Sequence, residues 1–190
     1  MRRHAYNDPG HAHFLTFSCY RNQQFLADDT VRHWLAESIA AAREFEHFDL
    51  WAYVFMPNHV HLLIHPRPED YSIPSILRRI KEPFTRRVVT FWQKTDPKKL
   101  VPLEARFGRR VVHRFWQAGG GFDRNLTDMS AVCRAVAYIE YNPVRCGYVR
   151  EPTEWVWSSA RARAGWSDVA LRVDVLEVAF TCAGASPDRP

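Results

Sequence analysis

The sequence predicts an α+β fold: an antiparallel, ferredoxin-like sheet of the split βαβ kind, with helices on one face. Three observations carry this expectation. Residues 49–66 hold two apolar runs separated by Pro57-Asn58, which reads as a hairpin. The hydrophobic period then alternates along the chain between two residues and 3.6 residues, in the order strand, helix, hairpin, helix, strand, helix. The composition, 46% hydrophobic and 25% charged with seven Trp and twelve Phe in 190 residues, is enough for one core.

Residues 13–20, His-Phe-Leu-Thr-Phe-Ser-Cys-Tyr, are rich in strand formers and partly alternate, giving the first strand. Asp28 and Asp29 can cap a helix through Val31, Trp34, Leu35, Ile39 and Ala42 to about Glu46. The hairpin follows and ends at Pro66-Arg67-Pro68. A second helix starts near Ser72 or Ser75, with Ile76, Leu77 and Ile80 on one side; Pro83 should break or kink it before it resumes towards Phe91-Trp92. Residues 95–99 read as a polar loop. Val111 to Gln117 read as the late strand, and Gly119 to Gly121 as a hairpin loop or a close approach of backbone to another surface. Thr127-Asp128 caps a last helix from about Met129 to Tyr141, ended by Asn142-Pro143. Residues 1–150 form the domain. Residues 151–190 are an extension whose Trp155, Trp157 and Trp166 pack back on the core, with a loose end at 183–190.

The net charge of +5 is unevenly spread. Residues 67–114 carry thirteen basic side chains against five acids, a net +8, while the remainder of the chain is −3. A basic middle on a weakly acidic remainder suits a polyanion. No apolar run approaches the ~20 residues needed to span a bilayer, and no signal peptide is visible behind Met1, so the expectation is a cytoplasmic chain with no membrane partner. The four cysteines are scattered without a C-x-x-C pair, which supports a reduced chain and neither a zinc ribbon nor a disulfide framework.

The second strand of the hairpin opens His59-Val60-His61. Alternation puts both imidazoles on one face, about 7 Å apart along the strand, while Val60, Leu62 and Ile64 point to the other. Two such imidazoles can share one metal ion. A second His-x-His, His11-Ala12-His13, follows Pro9-Gly10 and reads as a surface turn. On the last helix, Val132, Ala135, Val136 and Ile139 form the apolar face. Tyr138 lies on its flank, Asn142 sits one turn further along that flank, and Tyr141 turns to solvent. A metal on two histidines is a Lewis acid for a phosphoryl oxygen, and a phenol, with a pKa of about 10, is easier to ionise for attack on phosphorus than an alcohol.

Five ordered stretches then carry a resemblance. They are Pro57 to Leu63, Arg114 to Gln117, Gly121 to Asn125, Tyr138 to Val149 and Glu154 to Ser159, within roughly residues 5–160. Taken together, they resemble the REP-associated single-tyrosine transposases among the HUH (His-hydrophobe-His) endonucleases. The resemblance implies the HUH variant of the ferredoxin-like sheet and a Mg²⁺ or Mn²⁺ ion. It implies nicking of single-stranded hairpin DNA from bacterial repetitive extragenic palindromes, with a 5′-phosphotyrosine intermediate that lets strands be rejoined. It assigns His59, His61 and Asn142 to the metal and Tyr138 to the nucleophile, in a bacterial, nucleoid-associated protein. The basic segment offers Arg78, Arg79, Lys81, Arg86, Arg87 and Arg114 for DNA. The alternatives are a non-cleaving module of the same fold that holds structured nucleic acid, and a metal hydrolase of a small phosphoester.

Overall fold

The computed structural model describes residues 7–119 and 121–176. Four strands, β1 (Ala12–Ser18), β2 (Phe48–Phe55), β3 (His59–Pro66) and β6 (Phe122–Leu126), form one antiparallel sheet in the order β2-β3-β1-β6. That is the order of a split βαβ sheet: β3 slots between β1 and β2, which helix α1 (Asp29–Glu46) connects. A separate two-stranded ribbon, β4 (Glu104–Phe107) and β5 (Arg110–His113), stands apart from this sheet.

Each of the three long helices starts where a short polar side chain satisfies a free backbone N–H. Asp28 accepts from Thr30, Ser72 from Ser75 at the head of α2 (Ile73–Thr95), and Asp128 from Ala131 at the head of α3 (Met129–Arg145). The apolar stripes of α1 (Val31, Leu35, Ile39) and α2 (Ile76, Ile80, Phe84, Val88) bury against Leu15, Phe17, Tyr53, Phe55, Val60, Leu62 and Ile64 on one face of the sheet. Each fully buried side chain of this size contributes about 1.5–3 kcal/mol. Helices on one face describe α1 and α2 only. The third helix, α3, lies on the opposite face, where Val132, Ala135, Val136 and Ile139 meet Ala12, Phe14, Ala52, Val54 and Leu63. The sheet is therefore a filling between two helical layers, because its strands present apolar side chains on both sides.

Neither proline interrupts its helix. α2 continues through Pro83, and α3 takes in Pro143. The stop of α3 is instead Gly147 at φ +74, with Gly147 N–H bonded to the Val144 carbonyl and Tyr148 N–H to the Pro143 carbonyl, a Schellman ending. The stretch expected as the late strand also divides. Only its start is strand, in the β4–β5 ribbon; Phe115 and Trp116 are buried packing residues, and the fourth sheet strand is the more polar β6. Its Asp123 is accommodated by the buried His13, whose Nδ1 lies 2.8 Å from the carboxylate and whose Nε2 lies 2.7 Å from the Tyr71 hydroxyl. His13 is thus a core residue and not part of a surface turn.

Residues 155–159 run along the free edge of β2: Phe55 N–H bonds the Trp157 carbonyl and Ser159 N–H the Tyr53 carbonyl. Arg32 is buried beneath Trp155 and Trp157. Trp166, expected in the core, is half exposed. Asp174 accepts hydrogen bonds from the Leu50 amide and from Arg43. Residues 183–190, expected to be loose, lie outside the described residues. Cys19 and Cys146 are free. Among the described residues no helix is long and apolar enough to cross a membrane.

Of the two readings of the glycine run, close approach holds at Gly121. It has φ +78, and a Cβ there would fall 2.1 Å from the Thr16 carbonyl oxygen. Gly108 has a similar φ of +58 but open space around it. The left-handed conformation costs a side chain about 1–2 kcal/mol, and overpacking adds about 1–3 kcal/mol. Gly121→Ala is therefore expected to lower the urea midpoint clearly more than Gly108→Ala. Equal midpoints would show that β1 yields to the added methyl.

Candidate active site

The sheet brings the distant motif residues to one place. β3 presents His59, His61 and Leu63 to the α3 side, the face opposite Val60, Leu62 and Ile64. α3 packs across that face and carries Tyr138 and Asn142 on the flank turned to the histidines. The rings of His59 and His61 are 4.8 Å apart, His61 Nε2 lies 3.3 Å from the Asn142 Nδ2, and the His61 and Tyr138 rings are 5.5 Å apart, edge to face. Tyr141 is 41% exposed and points away from the sheet. His61 and Asn142 are buried, and His59 and Tyr138 half-buried.

Two residues that the sequence pattern does not single out orient the imidazoles. Thr16 Oγ1 lies 2.7 Å from His61 Nδ1, and Asn58 Oδ1 lies 2.7 Å from His59 Nδ1. A neutral imidazole that gives its Nδ1–H to an oxygen keeps its Nε2 lone pair for another purpose, the usual division of labour in a metal-binding histidine. Asn58 stands beside His59 in sequence, but Thr16 is 45 residues from His61 and is found only through the register Thr16↔His61. Phe14, also on this face of β1, stacks on His61 at 5.5 Å and meets Tyr138 edge to face at 5.8 Å. Arg145 holds its guanidinium 4.9 Å from the Tyr138 ring centre.

Burial lowers the pKa of both histidines. Desolvation is the main cause at His59, opposed by its hydrogen bond with Asn142; at His61 burial and then the neighbouring His59 push it down to about 3. Both imidazoles are therefore neutral at pH 7. Because these pKa values fall below the ordinary 6.5, the unfolded chain takes up protons first on acidification. The stability contributed by the neutral pair is complete above about pH 6.5 and is lost as the pH falls from there towards about 3. Urea midpoints measured between roughly pH 7 and pH 4 should fall less steeply for His61→Phe than for the parent chain. Parallel slopes would show that His61 does not resist protonation.

Among the described residues no three His, Cys, Asp or Glu side chains gather as a metal cluster. The donor set here is two imidazole Nε2 atoms and one carboxamide. Both imidazoles are held neutral with Nδ1 engaged and Nε2 left for a common partner, and Asn142 can offer its carbonyl oxygen, so the residues fit a divalent cation. Mg²⁺ prefers oxygen ligands, while nitrogen donors favour Mn²⁺.

The basic candidates separate. Lys81, Arg86 and Arg114 line one groove with Glu82, Thr85, His113, Trp116 and Ala118, and Arg78 and Arg79 line a neighbouring depression with Arg86. Lys81 sits over the Phe17 ring, and burial lowers its pKa to about 8. Arg79 and Arg87 face α1, where they pair with Glu46 and Glu37 and cover Phe45 and Trp34. The groove is rooted at the histidine end of the sheet: Gln117 N–H bonds the Ser18 carbonyl, and Ser18 is paired with His59.

Comparison with known proteins places this chain beside transposases. A protein of Haemophilus influenzae named as a REP-associated tyrosine transposase is 27% identical over 112 residues, which make up 59% of this chain and 58% of that protein. The solved structure of a REP-associated tyrosine transposase bound to a REP hairpin superposes with a TM-score of 0.67 at 23% identity, covering 94% of this chain and 95% of the other, and so shares its fold. Residues 8–101, which contain β1, the histidine hairpin and α2, match the sequence profile of IS200-like transposases.

Proposed function

We propose that this chain is a transposase that cuts and rejoins one strand of DNA next to a folded hairpin, using Tyr138 as nucleophile and a Mg²⁺ or Mn²⁺ ion held by His59, His61 and Asn142. The observation that carries the proposal is the meeting of the two neutral histidines with Asn142 and Tyr138 across the β3–α3 interface. When bound, the cation polarises the scissile phosphate. Tyr138 Oη attacks phosphorus, the bond from phosphorus to the 3′ oxygen breaks, and the DNA is left joined to the protein through a 5′ phosphate. The phenolic proton released in this step is balanced by the proton taken up by the departing 3′ oxygen. The bond energy kept in the phosphotyrosine permits a 3′ hydroxyl to reverse the step on another end. Thr16 and Asn58 keep the imidazoles in the tautomer the site needs, and Arg145 places positive charge beside the tyrosine.

The partner proposed is single-stranded DNA with a hairpin, met by the basic segment through its phosphates. A bacterial, nucleoid-associated location follows from that partner. The test is incubation of the purified chain with end-labelled hairpin DNA, with and without Mn²⁺, followed by denaturing electrophoresis. Metal-dependent cutting with a covalent DNA–protein adduct is expected. Binding without cutting would make the chain a non-cleaving module, and cutting without an adduct would make water the nucleophile.

A further inference from the structure

The β4–β5 ribbon has no part in the four-stranded sheet or the histidine site, yet it is regular and basic. Its register pairs Glu104 with His113 and Arg106 with Val111 on one face, and Ala105 with Val112 on the other. The Ala105 face is turned inward, with Ala105 buried, while Arg106 is exposed and Val111 is 50% exposed. The turn adds Arg109, and Arg110, paired with Phe107, opens β5 on the Ala105 side at the outer end; both arginines are exposed. Three arginines and an uncovered β-branched side chain thus crown a two-stranded arm.

The arm is firmly rooted. Arg114 N–H bonds the Leu103 carbonyl at its base, Tyr20 N–H bonds the Phe115 carbonyl, and Trp116 bridges to Cys19. At its foot runs the groove of Lys81, Arg86, His113, Arg114 and Trp116. The Trp116 indole N–H is buried and has no hydrogen-bond partner among the described residues.

We infer that the β4–β5 ribbon is a duplex-reading arm, which enters the major groove of the hairpin's paired stem while the groove at its foot takes the stem's sugar–phosphate backbone. This rests on the reading of the chain as a hairpin-DNA transposase and adds which part of the DNA is recognised, and by what. Size supports it: strands about 5 Å apart, with their side chains, make a ribbon that the roughly 12 Å major groove of B-form DNA admits. Chemistry supports it too. Arginine is the side chain that grips guanine O6 and N7 in two-point fashion, and an exposed aliphatic group such as Val111 suits a thymine methyl. An unpaired strand has no groove to enter, so the arm distinguishes stem from single strand.

The test compares the parent chain with Arg106→Ala/Arg109→Ala/Arg110→Ala, whose sites are exposed and whose fold is checked by near-UV circular dichroism. Affinity is measured by fluorescence anisotropy across a salt series for three probes: a hairpin, an unpaired strand of equal length, and a blunt duplex of the stem alone. The triple variant is expected to bind hairpin and duplex at least about tenfold more weakly, with a salt slope smaller by roughly one unit for each phosphate it no longer neutralises, and to bind the unpaired strand within about twofold of the parent. A conservative Arg→Lys triple variant should keep most of the affinity and lose discrimination between stem sequences. An equal loss on all three probes would make the arm a general phosphate-binding surface and overturn the assignment. Unchanged hairpin affinity in the variant would overturn it as well, while metal-dependent cutting by the parent would leave the transposase reading intact. A parent chain that binds none of the probes would fail that reading and this one together.

Discussion

Tyr138→Phe is expected to bind hairpin DNA like the parent chain and to leave it uncut. The substitution removes one oxygen and keeps the ring. The packing of that ring against Phe14, His61 and the Arg145 guanidinium should therefore persist, and stability should change by no more than about 1 kcal/mol. Loss of a covalent nucleophile in a machine whose parts act together costs on the order of 10⁴-fold or more in rate. Tyr141→Phe is the matched control. It lies within the same helix, but its side chain is exposed on the far side from the histidines, so cutting should continue at the normal rate. The readouts are the cut fraction of 5′- and 3′-labelled hairpin in Mn²⁺, and peptide mapping of the adduct to the segment carrying Tyr138. An adduct on Tyr141, or normal cutting by Tyr138→Phe, would overturn the assignment.

The site was legible in the sequence because its members obey two short-range rules. His59 and His61 share a face through the two-residue period of a strand, and Tyr138 and Asn142 share a flank through the helical turn. Helix periodicity also foretold that Tyr141 would be exposed. What the sequence did not disclose depends on long-range register or on competition between local preferences. Thr16 becomes the partner of His61 only when β1 pairs with β3, and nothing in the local pattern of residues 13–20 fixes that pairing. Asp123 looks like a loop residue, and it sits in a strand because the buried His13 receives it. Pro83 and Pro143 disfavour helix locally, yet α2 buries apolar residues on both sides of Pro83 and α3 is held by its stripe before Pro143, so packing outweighs one missing hydrogen bond. The late strand went astray for a related reason. Val111 to Trp116 has high strand propensity, but Phe115 and Trp116 serve the core beneath α2, and β6 wins the sheet edge by pairing with β1. The placement of α3 against the second face also follows from composition only in retrospect, since Ala52, Val54 and Leu63 leave that face as apolar as the first.

The second large effect lies in the histidine pair. His59→Ala and His61→Ala should each abolish metal-dependent cutting, and the double variant should show no calorimetric Mn²⁺ binding. Each removes one Nε2 donor from a set of three, and among the described residues no group of three or more His, Cys, Asp or Glu side chains offers another site. Thr16→Val gives a graded comparison. It leaves both donors in place but removes the oxygen that fixes His61, and the loss of such an outer partner costs roughly 10–100-fold in metal affinity. Asn142→Ala should weaken binding without unfolding the chain, because α3 is held by Val132, Val136 and Ile139 rather than by this carboxamide. His11→Ala should be silent at the metal. His13→Ala should also spare metal binding, but it should destabilise the fold by about 1–3 kcal/mol, because it leaves the half-buried Asp123 carboxylate without its imidazole partner. With two nitrogen donors in the set, Mn²⁺ should bind more tightly than Mg²⁺ in every variant that binds at all. Full Mn²⁺ affinity in the His59→Ala/His61→Ala chain would place the metal elsewhere, and a Thr16→Val chain indistinguishable from the parent would mean that His61 needs no help to hold its tautomer.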